Sequence, residues 1–276
     1  MRGFARRERE RGDMNPPSNL LDEALGLGHG GAIAALPAGR VVLVEDCVET
    51  SGAFVLHHLL KRALSAGEGG GDVLFLALAQ PFSHYDRVLR KLGCSLSVQR
   101  NNNKLHFFDM LKLEFPGLTG GNDIESGFVG LYSKIQRAIE ARRSKEYSRG
   151  CITIMIDDLS LLEIAACGSI DCVLDFLYYC ISLTAELDCS LVILNHEDIY
   201  SSEEAPRFLS HLEYLADIVI KTEPLSTGLS ADVHGQLTIF NKGTSSRHGH
   251  SMNKIHNFHF KVKENGVEYF YPGSQY

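Results

Sequence analysis

Residues 40–64, RVVLVEDCVETSGAFVLHHLLKRAL, pass from an apolar β-type run through a short polar loop into an amphipathic helical segment. Such a unit points to an α/β layer, because a strand apolar throughout needs cover on both faces and the helix supplies one apolar side. The loop can be set against the phosphate-binding pattern GxxxxGK[ST]. In that pattern backbone amides face the phosphates, a lysine reaches their oxygens and a hydroxyl holds Mg²⁺. Aligned on Gly52, the chain has Cys47 at the first glycine, Ala53 at the lysine and Phe54 at the hydroxyl. Glu45, Asp46 and Glu49 are expected to bring their carboxylates to the mouth of the loop. A like-charge pair about 5 Å apart costs roughly 3 kcal/mol at an effective dielectric near 20, before screening, so ATP is expected to be repelled. The same residues also suit an ordinary strand–loop–helix unit with Phe54 in the core.

The order of the remaining segments extends the α/β reading. DVLFLALA (72–79) is a continuous apolar run of the kind buried in a parallel sheet, and PFSHYDRVLRKLG predicts a helix ending at Gly93. KLHFFDML (104–111) reads as a third strand, and Phe128, Leu131, Ile135, Ala138 and Ile139 follow the helical period. CITIMIDDLSLLE (151–163) delivers Asp157 and Asp158 at the carboxyl end of an apolar strand. A Walker B strand places its Mg²⁺-holding acid there, although Asp158 also suits the cap of the next helix. After a helix around 170–187, CSLVILNHED (189–198) is another buried strand ending in Asn195 and His196. Its His-Glu-Asp run lacks the spacing of a helical metal motif and reads as polar residues at a strand exit. In the final third, ADIVIKTEPL, GQLTIFNKG, NKIHNFHFKVK and GVEYFYPG predict antiparallel hairpins. Ile255, Phe258 and Phe260 are set there against Lys254, His259 and Lys261.

Composition narrows the class. A net charge of −7 with scattered basic residues argues against a free-standing nucleic-acid binder. Cys47, Cys94, Cys151, Cys167, Cys172, Cys180 and Cys189 form no CxxC pair and are odd in number, the usage of a reducing compartment without zinc. His248, His250, His256 and His259 lie close in sequence but read as surface residues, one pair within the flexible loop SSRHGHSMN. Residues 1–17 are arginine-rich and are expected to be a disordered extension; no signal peptide or membrane segment is seen, so a soluble intracellular protein is expected.

The strings VLVEDCVETSGAFVLHHLLKR, PFSHYDRVLRKLG, DDLSLLE, SLVILNHED and HGQLTIFNKG resemble the Elongator protein 6 family in its plant form, within the RecA-like ATPase superfamily. The resemblance covers residues 40–271. It implies an α/β RecA-like P-loop-type fold over residues 18–276, with a mainly parallel central sheet, flanking helices and C-terminal antiparallel hairpins. Active RecA-like members carry a water-polarising glutamate after the second strand, where this chain has Gln80. The resemblance therefore implies a pseudo-ATPase with no cofactor, with Asp157 and Asp158 as remnants. It further implies a heterohexameric ring with Elongator proteins 4 and 5 that binds tRNA, in the cytoplasm and nucleus. The ring serves wobble-uridine modification whose chemistry lies in another subunit. Lys242 and Arg247 then stand where such rings offer basic residues to a neighbour. A DNA-repair recombinase paralogue, or an NTPase with an atypical loop, are the alternatives.

Overall fold

A computed structural model of the protein describes residues 19–27, 36–65, 71–111, 124–144, 150–200, 205–228, 230, 232–243, 245–246, 249–250 and 253–273. The extension expected over 1–17, His248 and Arg247 lie outside these residues. Beyond a short α1 (Leu20–Ala24), the apolar runs become strands and the 3.6-period segments become helices in the order anticipated: β1 (Val41–Asp46), α2 (Ala53–Ser65), β2 (Asp72–Ala77) and α3 (Phe82–Lys91). Next come α4 (Leu96–Asn101), β3 (Leu105–Asp109), α5 (Ile124–Arg143), β4 (Ile152–Ile156), α6 (Ser160–Ala165), α7 (Ile170–Glu186) and β5 (Cys189–His196). The chain closes with α8 (Ala205–Leu215), β6 (Ile218–Glu223), β7 (Gly235–Asn241), the two-residue β8 and β9 (Ser245–Ser246 and Gly249–His250), β10 (Lys254–Lys263) and β11 (Gly266–Phe270). Neither α4 nor α8 is announced by the sequence patterns above.

One mixed sheet organises the molecule, in the order β11-β10-β7-β6-β1-β5-β4-β2-β3. Strands β6 to β3 in that order run parallel, whereas β7, β10 and β11 are antiparallel. Alternation along each strand feeds two cores. Val42, Val44, Phe75 and Val192 face α1–α4 and the hairpin aromatics, while Leu43, Leu74, Ile154 and Leu191 face α5–α8. Both faces of the central strands are therefore covered, which is why β1 and β4 are buried along their whole length.

Three expectations about the C-terminal third are corrected. Residues 218–223 do not belong wholly to the hairpins: β6 pairs parallel to β1 on one side and antiparallel to β7 on the other. Ile255 does not share a face with Phe258 and Phe260; it is 61% exposed. An odd and an even position on one strand point to opposite sides of the sheet, so the three apolar residues could never have formed one stripe. The SSRHGHSMN segment, expected to be a flexible loop, carries the β8–β9 ladder among its described residues.

Gly235 sits where β7, the loop after β1 and β10 converge. A Cβ there would lie 2.7 Å from the Glu223 carbonyl, 2.9 Å from Thr50 Cγ2 and 3.0 Å from Phe260 Cε1. Gly235→Ala is expected to lower unfolding stability by about 1–3 kcal/mol, the usual cost of overpacking. Gly130→Ala in α5, where an added Cβ meets nothing within 4 Å, is expected to raise it by about 0.5–1 kcal/mol. Urea midpoints of the two variants check both signs.

Candidate functional site

Ligands of open α/β sheets collect beyond the carboxyl ends of the parallel strands. There β1 and β5 bring Asp46 and His196 together as register partners. The loop leaving β1 is a tight turn: Cys47 and Thr50 form an antiparallel bridge, and Thr50 N donates to the Cys47 carbonyl at 3.0 Å. Val48 N donates to Asp198 Oδ2 at 2.8 Å, Gly52 N to Asp46 Oδ2 at 2.6 Å and Ala53 N to Ser51 Oγ at 3.2 Å. The amides of residues 48, 50, 52 and 53 thus already have acceptors within the protein. Gly52 is needed for close approach, since a Cβ would meet Val44 Cγ1 at 3.0 Å and both Asp46 Cβ and Thr222 Oγ1 at 3.2 Å. From β6 the Thr222 hydroxyl donates to the Thr50 carbonyl at 3.0 Å and pins the turn from the other side.

The expected mouth of carboxylates is not formed. Consecutive strand residues point to opposite faces, and Glu45 and Asp46 are consecutive. Asp46 goes to the α2 side and is fully buried; Glu45 goes to the α8 side, 1% exposed, with the Lys221 ammonium 3.0 Å from its Oε2. Burial pushes the Glu45 carboxyl up to about 7, although Lys221 pulls it back. Lys221 also pairs with Glu213 of α8, so this cluster ties a helix to the sheet. Of the three carboxylates, Glu49 alone is exposed.

On the α2 side a charged chain fills the place beside the loop. His196 Nδ1 hydrogen-bonds Asp46 Oδ1, and its Nε2 lies 3.4 Å from Asp158 Oδ2. The bonds to Asp158 and Asp46 lift the imidazole from 6.5 to about 10, so at neutral pH it is a cation between two carboxylates. Asp158 also accepts from the Ser160 amide at 3.0 Å and from its hydroxyl, at the start of α6. Asp157 accepts from Leu78 N at 2.7 Å, Ala79 N at 3.1 Å and the Tyr85 hydroxyl. Burial nevertheless raises its pKa to about 6, against the pull of these donors. Asp157 therefore braces the β2–α3 connection, where the sequence left it with nothing to hold.

The other singled-out residues are spread apart. Ala53 is half-buried at the start of α2, and Phe54 packs on Phe260 and Tyr269 of the hairpin, ring centroids 4.7 and 6.4 Å away. Phe54 is partly buried and packs against the core, as an ordinary strand–loop–helix unit would place it. Gln80 is exposed in the turn after β2. Lys242 is exposed, and its ammonium donates to the carbonyls of Glu213 and Tyr214 at the end of α8, where a cation meets the negative end of the helix. Among the described residues, no group of three or more His, Cys, Asp or Glu is arranged to hold a metal ion. No helix among them is long and apolar enough to cross a membrane. Sequence reasoning missed Tyr85, Asp198, Lys221 and the role of His196; the one available signal was the position of Asp46 and His196 at the ends of apolar strands.

Replacing His196 leaves two buried carboxylates without their cation. His196→Gln is expected to cost about 2–3 kcal/mol at pH 7, below the range for a fully buried partner because the ring is 29% exposed. A histidine whose folded pKa is raised stabilises fully below its unfolded value, 6.5, and loses that contribution as pH rises through about 10. Urea unfolding of both proteins should therefore show a gap that closes above about pH 10.

Comparison with known proteins agrees with this fold. The family model described as elongation complex protein 6 matches residues 31–264. Elongator complex protein 6 of Rattus norvegicus is 31% identical over 252 residues, covering 85% of this chain and 91% of the relative. The protein of the same name from Homo sapiens is 30% identical with the same coverage, and that from Dictyostelium discoideum 23% identical over 89% and 94%. Among solved structures, a KaiC-like protein from Pyrococcus horikoshii superposes with a TM-score of 0.59 at 13% identity, over 92% of this chain and 96% of that one. That likeness establishes the RecA-like fold.

Proposed function

The chain belongs to the Elongator complex protein 6 family, and from that premise we propose that it is a non-catalytic RecA-like subunit of the Elongator complex. In this reading it builds a heterohexameric ring with Elongator proteins 4 and 5. The ring binds tRNA and supports wobble-uridine modification in the cytoplasm and nucleus, and this chain contributes surfaces.

The observation that carries the non-catalytic part is the fate of the loop amides. Phosphate binding requires them to point outward and unpaired. Here Gly52 N is held by the buried Asp46 carboxylate and Val48 N by Asp198. Releasing a hydrogen bond to a charged group costs about 1.5–3 kcal/mol, and Ala53 and Phe54 offer a phosphate or Mg²⁺ nothing in return. The purified chain is expected to release no phosphate from millimolar ATP in the presence of Mg²⁺; hydrolysis above the uncatalysed background would overturn the pseudo-ATPase reading.

Assembly is tested separately. Affinity purification of the tagged chain from its own cells, followed by native mass spectrometry, is expected to return a six-subunit particle with two other RecA-like chains in equal copy number. Recovery as a monomer, or with recombinases, would refute the ring. Lys242 and Arg247 are the proposed contacts to a ring neighbour or tRNA. Replacing both is expected to weaken ring assembly or the ring's tRNA affinity, and no change in either removes them from that role.

A further inference from the structure

A cleft of about 290 Å³ opens beside α2, bounded by α3 and the β10–β11 hairpin. Its residues are arranged as a face. Phe54, His57, His58 and Lys61 recur at the i, i+3, i+4, i+7 spacing of one side of a helix. Val88, Lys91 and Leu92 do the same on α3, and Lys263 and Tyr269 close the cleft from the hairpin.

Three features of this face agree on a ligand. The first is charge: neither Lys61 nor Lys91 forms an ion pair with a carboxylate among the described residues, whereas Lys263 is paired with Glu268. Glu264 also lines the cleft, so the uncompensated positive charge sits on the α2 and α3 walls. The second is the kind of cation. Carboxylates are best gripped by the planar fork of arginine, while lysine serves phosphate as a point charge. Among the described residues no arginine lines the cleft, and the nearby Arg62 and Arg90 are taken by Asp22 at 3.0 Å and Asp86 at 2.6 Å. The third is the wall: Phe54 and Tyr269 with Val88 and Leu92 give an aromatic and aliphatic surface against which a planar base can lie. His57 is held neutral, its pKa lowered to about 4 by burial and by His84, so its ring can both donate and accept a hydrogen bond.

We propose that this cleft binds a nucleoside monophosphate unit, as a free nucleotide or as one residue of a single-stranded RNA, with Lys61 and Lys91 on the phosphate and the Phe54–Tyr269 wall under the base. The cleft begins where the loop after β1 ends, and it takes its ligand along the side of α2. It does not depend on ring assembly, so the two readings fail separately.

The test uses the full purified chain, with calorimetric titration of UMP and anisotropy of a short labelled oligouridine to distinguish the two sources. Binding of UMP assigns the free nucleotide, and binding of the RNA alone assigns the strand. In either case Lys61→Gln with Lys91→Gln is expected to weaken binding at least about tenfold, and for the RNA, where one phosphate contact is lost, to lower the salt slope by about one. The exposed Lys91→Gln alone, a milder change to the fold, is expected to weaken it in the same direction, while Lys134→Gln on α5 leaves it unchanged. The proposal is overturned if neither ligand binds at millimolar concentration, or if the lysine variants bind as the unaltered chain does. Inorganic phosphate or an oligoglutamate binding as tightly as UMP and the RNA would overturn it equally.

Discussion

Asp46 is the group on which the carboxyl end of this sheet depends. It is fully buried, and one carboxylate oxygen takes the Gly52 amide while the other takes the His196 ring. A bare carboxylate at such a depth would be costly by several kcal/mol; here its charge is met by an imidazolium and a backbone dipole. The two bonds join the end of β1, the start of α2 and the end of β5. In a nucleotide-binding relative of this fold, that junction is where loop amides, a lysine and a metal answer phosphate charge. In this chain the same geometry is satisfied by its own carboxylates and its own cation.

The consequence spreads outward from that junction. With Gly52 drawn against Val44, Asp46 and Thr222, α2 starts close to the sheet, and its first turn directs Phe54 toward Phe260 and Tyr269 of the hairpin. Phe54 thereby becomes a contact between the helix that follows β1 and the antiparallel extension of the sheet. Aromatic pairs of this spacing contribute about 0.5–1.5 kcal/mol beyond their buried area. Behind Phe54, the same helix buries Val55, Leu56, Leu59 and Leu60 in the core and turns His57, His58 and Lys61 outward into the cleft. One helix therefore carries both the core and the lysine-rimmed surface.

Much of the architecture was legible without coordinates, for a physical reason. A strand buried on both faces must be apolar along its whole length, so VVLV, VLFLA, ITIMI and SLVIL declare themselves, and a helix on such a sheet must repeat every 3.6 residues, as Phe128 to Ile139 do. The exceptions lie where strand parity or an unseen neighbour decides. Ile255 is an odd position beside the even Phe258 and Phe260, so it faces the other side of the sheet and is exposed. The strand at 218–223 has a hairpin partner and a parallel partner, which its own composition does not reveal.

The sequence by itself determined the class of fold, because strand periodicity is a local fact, and it set which side chains, Ala53, Phe54 and Gln80, stand beyond the ends of β1 and β2. Only the tertiary structure decided what the remaining polar residues do. Glu45 and Asp46 differ by one position, yet one is tied to Lys221 of β6 and the other to His196 of β5. Asp157 reaches Tyr85 across 72 positions and His196 reaches Asp46 across 150. A buried charge takes its protonation state and its role from whatever the fold packs beside it, and in this protein those neighbours come from distant segments that only the closed sheet brings together.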